Sequence, residues 1–137
     1  MKVLLSIKPE YANKILSGEK KFEFRKVSFT NTDVKTVIIY ATKPVGKVVG
    51  EFEILKIYSD SPSKIWERTK NSAGIDKKYF DSYYEGKDLA IAIAVGAVHQ
   101  YDSPKNLSDV GAGIFPPQSF CYIKPNEGEQ QRELELG

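Results

Sequence analysis

Apolar positions along this chain fall into short runs at strand spacing, interrupted by three stretches at helical spacing. Residues 2–8, with Val3, Leu4, Leu5 and Ile7, read as a short and largely buried strand. Pro9 suits the first turn of a helix ending near Ser17, with Tyr11, Ala12, Ile15 and Leu16 on one face. Gly18 then suits a left-handed C-terminal cap. From Lys20 to Val27 the pattern alternates, setting Phe22 and Phe24 on one side of a strand and Glu23 and Arg25 on the other. Residues 34–42 are rich in β-branched side chains and predict another strand. In 47–58, Val48, Phe52 and Ile54 share one face, and Glu51 and Glu53 the opposite one. Gly50 inside that strand marks a bulge, a bend or a close approach.

Ser61 and Pro62 start a helix whose inner face is Ile65, Trp66 and Thr69. Asp76 caps a second helix running to Tyr84, and its Tyr79, Phe80, Tyr83 and Tyr84 stripe reads as core. Residues 89–100 alternate large with small, and both faces are apolar, which predicts a central strand whose small face lets a helix or a flat ligand come close. Residues 101–117 read as a long loop, 120–123 as a last strand and 124–137 as a flexible acidic tail. Strands come in runs rather than in βαβ alternation. The expected fold is therefore α+β: a small, mostly antiparallel, partly closed β-barrel with one early helix, which plugs an end, and an inserted helical pair. One domain, 1–123, accounts for it.

Composition narrows the class. The chain has 137 residues, 41% hydrophobic and 28% charged, enough for a core without staples. One cysteine, Cys121, rules out an internal disulfide, and one histidine, His99, leaves no metal-ligand spacing; no metal and no cofactor is expected. The absence of a leader pattern or a membrane-length apolar run predicts a soluble, cytoplasmic protein. Net charge is +2, but 124–137 carries −2, so the body is +4 and suits a local nucleic-acid footprint.

The chemistry concentrates in Gly18-x-Lys20-x-x-Glu23-x-Arg25. Lys20 and Arg25 fit phosphate contacts, and Glu23 fits the role of holding Arg25 or accepting from a base edge. As an ordinary strand edge the same residues would be a Glu–Arg pair worth less than about 1 kcal/mol. A working site requires Lys20, Glu23, Arg25 and Glu51 or Glu53 to converge on one cleft, walled by the first helix or by 101–117. Glu23 and Arg25 are then expected to be hydrogen-bonded. In a hydrolase, Lys20 would be base or nucleophile, and Glu23, Glu51 or Glu53 would handle protons. A protein-interaction module is the third reading.

The motif, with all four positions matched, resembles the signature of the ASCH domain family, a branch of the PUA-like superfamily. So do Leu4-Leu5-Ser6-Ile7-Lys8-Pro9, Val49-Gly50-Glu51-Phe52-Glu53-Ile54, Tyr83-Tyr84-Glu85-Gly86-Lys87 and Pro116-Pro117-Gln118-Ser119-Phe120. The resemblance covers residues 2–123. It implies a small β-barrel with a cleft beside the motif, and RNA or a nucleotide-like molecule as ligand, in RNA metabolism or in transcription or translation control. A related branch hydrolyses acylated pyrimidine nucleosides with the motif lysine and a threonine where this chain has Glu23. Other members have been proposed as ribonucleases.

Overall fold

The β-branched and small-residue segments of the chain become the strands of one mixed sheet. The computed structural model describes residues 1–113 and 115–124. In chain order these form β1 (Lys2–Ile7), α1 (Pro9–Ser17), β2 (Phe22–Arg25), β3 (Thr36–Ala41), β4 (Lys47–Asp60), α2 (Pro62–Thr69), α3 (Lys77–Tyr83), β5 (Ala90–Lys105) and β6 (Phe120–Ile123). Short 3-10 turns follow α2 and β5. The expected acidic tail, beyond Lys124, lies outside the described residues.

Six strands pair in the order β2-β5-β4-β3-β1-β6. Only β1 and β3 run parallel, with α1 and β2 in the crossover; the other pairings are antiparallel. The α+β class and its mostly antiparallel sheet stand. The barrel does not: among the described residues β2 and β6 are open edges that share no backbone ladder. A side chain spans them instead, because Arg25 Nη2 on β2 donates to the Ser119 carbonyl just ahead of β6, at 2.7 Å.

Three apolar clusters set the layers. Ala12 and Ile15 of α1 pack against Val3, Leu5, Ile7, Val37, Ile39 and Phe52 of the sheet. On another part of the sheet, the small residues Ala90 and Ala92 of β5 let Ile65 of α2 and Phe80 and Tyr84 beside them come close. Of the two occupants foreseen for the small face of β5, a helix or a flat ligand, the helical pair is the one that packs there. Leu4, Ile38, Tyr40 and Val48 make the third cluster with Leu107 and Ile123. The predicted loop 101–117 is strand as far as Lys105, where β5 pairs with Val48 at the start of β4. Gly50 serves both as bulge and as close approach, since a Cβ there would lie 2.7 Å from the His99 carbonyl and 2.9 Å from Leu16.

Candidate functional site

The helix cap builds the site. Gly18 adopts φ 86° and its N–H bonds the Ile15 carbonyl, which turns the chain back so that Lys20 N–H reaches the Lys14 carbonyl. Lys21 then joins two elements: its N–H donates to Ser72 O and its carbonyl accepts from Val95 N–H, both at 2.9 Å. Lys20 between them points inward and is only 1% exposed. Its ammonium donates to the Ala73 carbonyl at 2.7 Å and sits 4.5 Å from the centre of the Phe24 ring and 5.6 Å from that of Tyr11. These contacts replace part of a hydration shell. Burial nevertheless pushes the Lys20 pKa down to about 8, against the pull of Glu23 and with a further push from Lys14.

Glu23 is also buried. Desolvation pushes its carboxyl up, opposed by the charges of Lys20 and Arg25 and by the Phe24 N–H that bonds Oε1. Arg25 lies 3.9 Å from Glu23, an ion-pair contact rather than the hydrogen bond expected. Its hydrogen bonds go to the Ser6 carbonyl at 3.4 Å and to the carbonyl and hydroxyl of Ser119. The competing carbonyls explain the difference: the guanidinium fork is spent on bridging β1 to the segment before β6.

Together Lys20, Glu23 and Arg25 line a cavity of about 160 Å³ with Ser6, Ile7, Lys8, Tyr11, Phe24, Ile75, Tyr79 and Tyr83. The motif therefore converges as expected, and α1 supplies one wall. The opposite wall is α3 and the segment before it, not residues 101–117. Glu51 and Glu53 do not join. Glu51 is held by Lys2 and by the Tyr101 hydroxyl at 2.9 Å, and Glu53 is exposed. The register of β4 against β3, two strands away from β2, carries both carboxylates off.

Tyr79 and Tyr83 were not legible as site residues. Their rings are near parallel, 6.4 Å apart, whereas Phe80 and Tyr84 one step round the helix are core. Positions i and i+4 make two adjacent stripes here, and the one made of Tyr79 and Tyr83 faces the cavity. Among the described residues no group of three or more His, Cys, Asp or Glu side chains is placed to hold a metal ion.

A second cleft of about 810 Å³ adjoins the first, sharing Ser6, and its lining includes Tyr40, Thr42, Lys43, Asn106, Phe115 and Pro117. No helix among the described residues is long and apolar enough to cross a membrane.

Comparison with known proteins agrees with the motif. The ASCH domain model matches residues 5–99. The ASCH domain-containing ribonuclease of Zymomonas mobilis is 30% identical over 130 residues, covering 93% of this chain and 87% of that protein. The crystal structure of ASCH from Zymomonas mobilis superposes with a TM-score of 0.82 at 28% identity, over 98% of this chain and 94% of that one. Large ribosomal subunit protein uL22 of Ureaplasma parvum is 35% identical over 123 residues, which are 89% of this chain. The chain spans only 39% of that relative's length. On the family match, the related sequence and the shared architecture, this chain belongs to the ASCH domain family.

Proposed function

We propose that this protein binds RNA or a nucleotide-like ligand, seated in the Lys20 cleft, as part of cytoplasmic RNA metabolism. One observation carries the reading: a buried cation, a buried carboxylate and an arginine meet in a cavity that three tyrosines and a phenylalanine also line, beside Lys8 and aliphatic side chains. Cations suit phosphate, the carboxylate suits an amino group on a base edge, and aromatic rings suit base stacking. At about 160 Å³ the cavity falls below the roughly 300 Å³ at which drug-sized pockets begin, so it suits one base or one phosphate-bearing fragment rather than a duplex. Membership of a family whose Zymomonas mobilis relative is named a ribonuclease supports the ligand class. Titration of labelled RNA at low salt tests it. Lys20→Ala and Arg25→Ala are each expected to weaken binding at least tenfold, with a shallower salt slope. Affinity unchanged in both variants would refute the assignment.

A second reading is hydrolysis, favoured by the Lys20 amine. With its pKa lowered to about 8, roughly a tenth of Lys20 is unprotonated at pH 7 and able to take a proton or attack a carbonyl. Glu23, not Glu51 or Glu53, is the carboxylate beside it. Incubation with short RNA and with acylated cytidines, wild type against Lys20→Arg, separates this reading from plain binding. Product formed equally by both proteins would exclude Lys20 as the catalytic group.

A further inference from the structure

We propose that single-stranded RNA held in the Lys20 cleft continues over Ser6 into the second cleft, where Lys43 and Lys47 meet its phosphates and Phe115 stacks a base. This rests on the reading of the first cleft as an RNA site. The two cavities share Ser6, and the divide between them is built from polar groups. Arg25 donates to the Ser6 carbonyl and to Ser119, and the Ser6 hydroxyl donates to the Pro117 carbonyl at 2.8 Å. The Arg25 guanidinium thus places a positive charge where a strand would pass from one cleft to the next, and attracts phosphate by that charge while its hydrogen bonds hold Ser6 and Ser119.

The second cleft has the make-up of a strand path rather than of a closed pocket. Its volume is about 810 Å³, five times that of the first, and its lining mixes Tyr40, Thr42, Asn106, Ser108 and Gln118 with prolines. Lys43 and Lys47 are both exposed, and Lys47 hydrogen-bonds the Asn106 side chain that lines the cleft. Phe115 lines it with 78% of its surface in solvent. An aromatic ring left that open buries little in the fold, yet offers a face to a base. A cationic rim with one exposed ring is the arrangement that binds single strands without reading sequence. A duplex keeps its bases stacked internally and would gain nothing from Phe115.

Competition against labelled octauridylate tests this, using uridine monophosphate, tetrauridylate, octauridylate and an octamer duplex as competitors. Octauridylate is expected to bind at least tenfold more tightly than the mononucleotide. Phe115→Ala is expected to remove about tenfold of the octamer's affinity and leave the mononucleotide's untouched. Lys43→Ala with Lys47→Ala is expected to reduce the octamer's log–log salt slope by roughly 1.4, about 0.7 per phosphate contact. All three side chains are exposed, so the fold is not at stake. Affinity independent of length, a duplex that competes as well as the single strand, or variants that weaken the mononucleotide equally would overturn the proposal. If the mononucleotide binds through Lys20 and length adds nothing, only the second cleft fails. If nothing binds, both readings fall.

Discussion

A lysine with 1% of its surface exposed leaves a trace in the pH dependence of folding. Lys20 titrates near its ordinary 10.5 in the unfolded chain and near 8 in the native one. Between those values the unfolded state holds more protons, so stability rises with pH. The gain from pH 8 to 10.5 is about 3 kcal/mol for this group. Lys20→Met is expected to abolish that rise in a urea-unfolding series, and an identical profile in both proteins would contradict the burial of a charged amine. Glu23 acts with the opposite sign on the acid side. Its carboxyl is raised above 4.5, so the native state holds the proton longer and stability falls as pH climbs through the folded value. Glu23→Gln is expected to flatten that limb, measured in the same way. The residue types and spacing of this site were legible in the sequence because period two on a strand fixes who shares a face. The burial was not, since it depends on a carbonyl at Ala73, 53 positions away.

The segment between α2 and α3 works as a clamp on the motif. Ser72 receives the Lys21 N–H, Ala73 receives the Lys20 ammonium and Gly74 receives that of Lys14. Gly74 has φ 70°, and a Cβ there would lie 2.6 Å from the Lys20 side chain. Gly74→Ala is therefore expected to cost about 2 kcal/mol or more, from backbone conformation and collision together, and to displace Lys20. Thermal unfolding beside RNA titration checks both parts; a variant with wild-type stability and affinity would show the clamp to be slack. Local signals announced these helices well: Asp76 accepts from Tyr79 N–H as an N-cap, and Pro9 and Pro62 each lie at a first helical turn. The same sequence hid the tail of β5. Asp102, Ser103 and Pro104 are poor strand formers, and they lie in a register shift between Gln100 and Lys105, whose pairing with Gly50 and Val48 of the long β4 carries the strand across them.

At the scale of the molecule, strand order was the least legible feature, because nothing local tells β1 that its neighbours are β3 and β6. The expected closure is absent from the sheet's hydrogen-bond ladder, and a side chain, Arg25, links β2 to the segment before β6 instead. Arg25→Ala is expected to lower stability by about 1–2 kcal/mol and to speed amide exchange in 119–123 more than in β3 or β4. Arg25→Lys should fail to rescue, since a single ammonium does not reproduce a planar fork that serves Ser6 and Ser119 at once. Uniform exchange across the sheet would argue against the link. The position of β1 has a further consequence for how the protein is made. Within this domain β1 is made before the other strands, yet its outer edge is paired last, because its partner β6 comes from the far end of the domain. Until Phe120–Ile123 emerge, a nascent chain presents Val3, Leu4 and Leu5 beside an unpaired ladder, the kind of edge that recruits a second copy. Synthesis of this domain therefore has a built-in exposed interval, which a stop anywhere before Phe120 would make permanent.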